Sequence, residues 1–367
     1  MNNQLKIVVD QNMPGIEQLF GSIADIDRAD GRSISADMLK DADALLCRSI
    51  TQVNSKLLHN SKVKFVGTAT IGTDHLDINW LESNNIQWSN AAGCNAAAVA
   101  QYVLSGIAYW CKQTHRKFRD LKIGIIGAGN VGTELSKCFD LLDIRYCLND
   151  PPLKSKGDKR LLVGFDQILK CDVLTLHVPL VEHGCYATKH LFDRQTLSHL
   201  NGNQLLVNAS RGAVVDNHAL TNRNLNSIRA QVILDVFEKE PDVPPSLLRE
   251  CLLATPHIAG HTLEGKLRGS WMIYRAFCQA FGLVERQSEA MLYPANNRIS
   301  LQNDLLEDQL LTLYDIQVDS EALGAKGDYS IAVHFDRLRR DATQLQDGTL
   351  RRDYSGWDYL GRNNLPL

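Results

Sequence analysis

The chain has 367 residues, more than one hydrophobic core usually serves, so its length points to two or three domains. Hydrophobic residues make up 44%, charged residues 22%, and the formal net charge is -3; that balance suits a soluble globular protein and gives no reason to expect nucleic acid or an anionic membrane as partner. Nine scattered cysteines without a C-x-x-C pair argue for reduced thiols in the cytoplasm rather than a disulfide framework or zinc site, and neither a signal-peptide pattern nor a bilayer-spanning apolar run is expected.

In chain order, residues 6–10 read as a short apolar strand and residues 13–20 as a helix. Residues 44–47 read as a second strand ending at Arg48 and Ser49. Residues 65–67 form a third, followed by the loop Thr68-Ala69-Thr70-Ile71-Gly72-Thr73-Asp74. Strands alternating with helices predict a parallel sheet, and ligands gather at the C-terminal ends of such strands. Arg48-Ser49 and the Thr/Gly loop both occupy such ends. The small residues of that loop leave backbone N–H groups for an anion-binding nest, although a plain turn has the same composition. Asp74, His75 and Asp77 are metal-ligand types, but no further ligands accompany them. An Asp capping a helix start explains them better, and no metal site is expected. Residues 96–112 then form an Ala-rich helical run leading into a second domain.

Residues 121–150 carry the strongest pattern. Ile123-Gly124-Ile125-Ile126 reads as a buried parallel strand, and Gly127, Gly129 and Gly132 follow as G-x-G-x-x-G, with Asn130 and Val131 between the last two. An amphipathic helix with Leu135, Cys138, Phe139 and Leu142 comes next, then a strand at 145–148 and Asp150. Gly127 permits the turn, Gly129 lets a pyrophosphate approach the helix N-terminus, and Gly132 lets helix and strand pack closely. An acid at position 150 can accept both hydroxyls of an adenosine ribose and would repel a 2′-phosphate, so the cofactor expected is NAD rather than NADP.

Further strands are expected at 172–177, 204–208, 231–236 and 252–255. His177, at the first of these exits, reads as a structural histidine. Arg211, Glu240 and His257 follow the other three, so they can converge at one edge of a single sheet. Each has a bland alternative: a structural ion pair for Arg211, a solvated loop charge for Glu240, a satisfied carbonyl for His257. Together they suit hydride chemistry on a hydroxy acid. Arginine binds a carboxylate bidentately, histidine exchanges the hydroxyl proton, and a glutamate orients the imidazole and favours its charged form.

With NASRGAVVD around Arg211, LDVFEKEP around Glu240 and TPHIAGHT around His257, the chain resembles the D-isomer-specific 2-hydroxyacid dehydrogenases over about residues 1–285. The stretches VDQNMP, LLCRSIT, KFVGTATIGTDHLD, GCNAAAVAQYV and HTLEGKLRG narrow the resemblance to a branch that oxidises a phosphorylated sugar acid in pyridoxal 5′-phosphate biosynthesis. The resemblance implies that Arg211, Glu240 and His257 are catalytic. It implies NAD contacts at Asp150, Val178, Asp235 and Gly260, and substrate contacts at Ser49, Thr70 and His261; Arg48, beside Ser49, joins the expected substrate site. Two positions depart from the family pattern: His261 stands where a Tyr is usual, and Val178 where a Thr is usual.

The implied fold is two doubly wound, Rossmann-like parallel-sheet α/β domains plus a small C-terminal α/β dimerisation domain. Residues 1–96 and 266–288 would bind substrate, residues 97–265 would bind NAD, and residues 289–367 would pair two copies into a homodimer. Leu305, Leu306, Leu310, Leu311 and Leu313 supply the expected apolar interface. Another D-2-hydroxyacid dehydrogenase, acting for example on phosphoglycerate, and a dinucleotide-sensing corepressor of the same fold are the alternatives. The intact Arg/Glu/His set speaks against the corepressor.

Overall fold

Short, wholly buried runs pair in parallel and build two large sheets, Ala44–Cys47 with Phe65–Thr68 in one and Val173–Leu176 with Leu205–Asn208 in the other. The computed structural model describes residues 4–222, 229–293, 297–300, 305–325, 327, 330–342, 351, 353 and 357–360. The chain forms two units, Met1–Asn95 with Thr262–Asn296, and Ala96–His261 with Asn297–Leu367.

The sheet of the first unit contains β1 (Leu5–Asp10), β2 (Ala24–Ala29), β3 (Ala44–Cys47), β4 (Phe65–Thr68) and β5 (Gln87–Asn90), in the order β2-β1-β3-β4-β5. Alternate residues leave a strand on opposite faces, and both faces here are covered. Ile7, Val9, Leu46 and Phe65 pack on one side with Leu19, Phe20, Ile273, Tyr274 and Phe277. Val8, Leu45, Cys47 and Val66 pack on the other with Leu39, Leu58 and Leu81. The helix Leu263–Ala280 supplies Ile273, Tyr274 and Phe277, so a distant stretch of chain completes this core. The helix expected at 13–20 starts only at Ile16, because Gly15 adopts φ +73 and Pro14 precedes it. The edge strands β2 and β5 were not legible in the sequence. In Ala-Asp-Ile-Asp-Arg-Ala only the end residues are buried, which gives no apolar alternation.

The second unit contains β6 (Lys122–Ile126), β7 (Arg145–Asn149), β8 (Val173–Leu176), β9 (Leu205–Asn208), β10 (Gln231–Leu234) and β11 (Leu253–Ala254), ordered β11-β10-β9-β8-β6-β7. A parallel bridge from Leu148 to Leu162 lies beyond β7 and stands where a third strand would complete the 3-2-1-4-5-6 order of dinucleotide-binding sheets. The helices Ala96–Thr114 and Asn130–Leu141 cover one face, through Val103, Ile107, Leu135 and Phe139 against Ile123 and Ile125. On the other face, Leu197, Leu220 and Leu247 pack against Leu174, Leu206 and Leu234.

The C-terminal segment adds the helices Leu306–Leu313, Ile316–Gly324 and Ile331–Asp341, and a parallel pair of β12 (Asn297–Ser300) with β13 (Trp357–Leu360). Its leucines are used differently from the sequence expectation. Leu306, Leu310 and Leu313 are buried within the chain, and Leu306 and Leu310 join the core around Ala96–Thr114, whereas Leu305 is exposed. That stripe therefore builds an intrachain core before it can serve an interface. Much of the expected dimerisation segment lies outside the described residues. Among those described, no helix is long and apolar enough to cross a membrane.

Candidate active site

Arg211, Glu240 and His257 follow β9, β10 and β11, which are neighbours in the sheet. Backbone packing ties their loops together. A Cβ at Gly212 would lie 2.0 Å from the carbonyl carbon and oxygen of Phe237, so only glycine lets the Arg211 loop pass so close to the loop that leads to Glu240. Buried Asn208 fixes the first loop. Its Oδ1 accepts from Ser210 N (3.1 Å) and Ser210 Oγ (2.8 Å), and its Nδ2 donates to Arg211 O (3.0 Å). Arg211 itself is half-buried, with Nη1 donating to Ser210 O at 2.9 Å.

His257 lies in the left-handed region at φ +57, which side-chain-bearing residues rarely occupy. Asp235 holds it there. Its buried carboxylate accepts from Thr255 Oγ1 (2.7 Å), Ile258 N (2.8 Å) and Ala259 N (2.9 Å), while its backbone carbonyl accepts from His257 N (2.8 Å). Burial pushes the Asp235 carboxyl up despite these donors. The imidazole Nδ1 lies 2.7 Å from Glu240 Oε2, and Glu240 Oε1 accepts from Phe237 N at 2.8 Å. Burial acts to raise the Glu240 carboxyl, but the His257 hydrogen bond and charge together with the Phe237 N–H outweigh it and hold the group below its ordinary 4.5. An ionised Glu240 can only accept, so Nδ1 carries the hydrogen and Nε2 is the basic nitrogen.

The glycine turn of the second unit suits a dinucleotide. Gly127 has φ +97, and a Cβ there would lie 2.4 Å from His177 O; at Gly132 it would lie 2.1 Å from Gly127 O. Nothing lies within 4 Å of the corresponding point at Gly129, so this face of the turn is open to a phosphate. Gly129 places no capping side chain over the helix Asn130–Leu141, and the first turn carries no acid, so the N–H groups of Asn130 and Val131 meet no competing anion there. Asp150 bonds Ala128 N and Leu153 N, both at 2.9 Å, which fixes its carboxylate beside the glycine turn while each oxygen keeps a further lone pair. The donor set fits NAD. Val178 is half-buried just after β8, and Gly260 lies in the turn that His261 N closes onto Ile258 O at 2.9 Å. His177 bonds Thr175 Oγ1 at 2.8 Å, and burial pushes its pKa down to about 3, so it is a neutral structural histidine.

In the first unit, Arg48 and Ser49 stand in the turn after β3, and Thr70 in the loop after β4. Buried Asp10, at the end of β1, grips Arg48 through Nε (2.9 Å) and Nη2 (3.3 Å). Thr70 is set by a relay. His75 Nε2 meets Thr68 Oγ1 at 2.9 Å, Thr68 Oγ1 meets Thr70 Oγ1 at 2.8 Å, and Thr70 Oγ1 donates to Gly72 O at 3.1 Å. Asp77 caps the helix Ile78–Ser83 through Trp80 N at 3.1 Å, the role its position suggested. A separate cluster of His190, Asp216 and Glu238 is held by local bonds: Asp216 caps Asn217–Thr221, and Glu238 accepts from Asn217 N and approaches His190. Sequence reasoning missed Asn208 and His75, whose roles depend on contacts that spacing does not reveal.

Residues 95–259 match the family model "D-isomer specific 2-hydroxyacid dehydrogenase, NAD binding domain". The chain belongs to the D-isomer-specific 2-hydroxyacid dehydrogenases, and NAD is the cofactor. Among solved structures, NAD+-bound 3-phosphoglycerate dehydrogenase of Entamoeba histolytica superposes with a TM-score of 0.64 at 20% identity, covering 76% of this chain and 96% of that one, a likeness of fold. Within the class the chain is a member of the erythronate-4-phosphate dehydrogenase family. It is 42% identical to the enzyme so named from Pseudoalteromonas atlantica, over 86% of this chain and 87% of that protein. It is also 42% identical to the one from Marinobacter nauticus, over 91% of each.

Proposed function

We propose that this enzyme oxidises 4-phospho-D-erythronate at C2, giving 2-oxo-3-hydroxy-4-phosphobutanoate, as a step of pyridoxal 5′-phosphate biosynthesis in the cytoplasm. The observation that carries the chemistry is the Glu240–His257 pair at 2.7 Å, on a strand end next to that of Arg211. The name shared by the relatives carries the substrate. Bound NAD supplies the acceptor for the hydride that leaves C2.

Arg211 binds the substrate carboxylate with its planar fork and polarises the C2 oxygen. His257 Nε2 takes the C2 hydroxyl proton as the carbonyl forms, and Glu240 holds the ring in the tautomer that leaves Nε2 basic. Asp150 accepts the adenosine ribose hydroxyls, and Asn130 and Val131 give their N–H groups to the pyrophosphate. Val178, Asp235 and the backbone near Gly260 would add further contacts to NAD. Ser49, Thr70, Arg48 and His261 bind the substrate. His261 donates from an imidazole where the family uses a phenol.

Residues 289–367 are proposed to pair two copies, with exposed Leu305 and Val333 available for contact. The deciding experiment measures NADH formation with 4-phospho-D-erythronate, 3-phosphoglycerate and unphosphorylated 2-hydroxy acids. The proposal requires the first to give the highest kcat/KM. A higher value for any other acid, or no turnover at all, refutes it. Light scattering at micromolar concentration tests the assembly, and a monomer removes it.

A further inference from the structure

The sheet of the first unit has its own ligand position. In the order β2-β1-β3-β4-β5 the chain reverses direction between β1 and β3, and open parallel sheets bind ligands at the C-terminal ends of strands flanking such a reversal. Asp10 ends β1, Arg48 follows β3, and Thr70 follows β4, so all three stand at that edge. Asp10 engages Nε and Nη2 of Arg48, one edge of the guanidinium, and thereby fixes the direction of the remaining Nη1 edge.

A second cation reaches the same place from a remote part of the chain. In the helix Leu263–Ala280, Gly269 packs so closely on the Thr70 loop that a Cβ there would lie 3.2 Å from Ala69 O. Lys266 is one turn earlier, three residues away, and shares that helix face. It is half-buried, and its charge and that of Arg48 repel each other. We propose that Lys266, with Arg48 and Thr70, forms the subsite for the substrate's phosphate and is the residue that selects a phosphorylated over an unphosphorylated hydroxy acid.

Three physical points support this. Burial, and after it the Arg48 charge, push the Lys266 ammonium down to about 8, and a bound anion relieves both penalties. A phosphate dianion offers enough oxygens for an ammonium, one guanidinium edge and a threonine hydroxyl together. The Thr68–His75 relay holds Thr70 in place without a charge, because burial lowers the His75 pKa, and the Thr70 hydroxyl becomes the third donor by turning its hydrogen from Gly72 O to a phosphate oxygen. Sequence pattern alone could not assign this role, since Lys266 is separated from Arg48 by 218 positions (266 minus 48).

The inference rests on the proposed substrate, so two measurements separate the claims. The first compares kcat/KM for 4-phospho-D-erythronate with that for D-erythronate. Lys266→Met should lower this ratio about 10- to 100-fold, the loss of a charge-assisted hydrogen bond, chiefly through KM, and Lys266→Arg should recover part of it. A ratio that stays at the wild-type value overturns the subsite. The second needs no turnover: binding of inorganic phosphate to the NAD-loaded enzyme, followed by phosphorus NMR. Weaker phosphate binding in Lys266→Met than in wild type supports the subsite even if 4-phospho-D-erythronate proves not to be the substrate. Equal binding by both proteins overturns the subsite while leaving the proposed reaction standing.

Discussion

Glu240→Gln is the sharpest test of the catalytic reading, because the structure determines which way the new amide must turn. Glu240 accepts two hydrogen bonds, from Phe237 N at 2.8 Å and from His257 Nδ1 at 2.7 Å. A glutamine has one oxygen and can accept only on that side. The Phe237 N–H is fixed backbone, and facing it with an NH2 would leave two opposed donors in a half-buried site, at about 1–3 kcal/mol. The amide oxygen therefore turns to Phe237 and the NH2 faces His257. The imidazole must then accept at Nδ1 and carry its hydrogen on Nε2, the nitrogen proposed to take the substrate proton. Loss of general-base help through the wrong tautomer costs roughly 10²–10⁴-fold in kcat; about 10³ corresponds to about 4 kcal/mol of barrier. Initial rates of NADH formation at saturating substrate measure it, with circular dichroism to verify the fold. A variant retaining a third or more of wild-type kcat would refute both the tautomer argument and the role of Glu240.

Protonating Glu240 removes the acceptor that holds Nδ1–H, so wild-type kcat for oxidation, which also needs a neutral His257, should be lost as pH drops below the ordinary 4.5 of the carboxyl; pH profiles of kcat check this. In stability, a carboxyl lowered on folding contributes in full above its unfolded value and loses that contribution as pH falls through its folded value, which urea titrations across that window can follow. Asp150→Ala removes the acceptor for the ribose and the cap of the helix Pro151–Ser155; it should raise KM for NAD, narrow the preference over NADP, and cost about 1 kcal/mol of stability. Equal use of the two cofactors by the wild type would dispose of that idea. Gly212→Ala drives a Cβ into the Phe237 carbonyl at 2.0 Å, so it should lower kcat at least tenfold by parting the Arg211 and Glu240 loops; unchanged kcat would show that the loops do not act together. Ser49→Ala should raise KM more than it lowers kcat, and identical kinetics would remove Ser49 from the site.

Much of this protein was written locally. The buried strands from β1 to β11, apart from the edges β2 and β5, announce themselves as apolar runs because a parallel strand covered on both faces has no polar side to show. The G-x-G-x-x-G turn was legible because its demands are largely local: Gly127 takes a positive φ and Gly132 must clear Gly127 O, whereas the close approach of His177 O to Gly127 comes from a distant strand. Arg211, Glu240 and His257 could be picked out as the exits of such apolar strands, and Asp77 as a cap. Other features were decided by groups far apart in the chain. Leu306 and Leu310 look like an interface in sequence and became core, because the Ala96–Thr114 helix presents an apolar face that only the folded chain brings to them. Asp235, a cofactor contact by family resemblance, also anchors the strained loop of His257 through three carboxylate bonds, a role that depends on β10 and β11 lying side by side. Spacing predicted that a glutamate would orient the histidine; it could not supply the Phe237 N–H that dictates the orientation of a substituted amide. Periodicity records what each residue must face, whereas hydrogen-bond partners and like charges at one sheet edge are set by the crossing of the chain, and those exist only once the tertiary structure has formed.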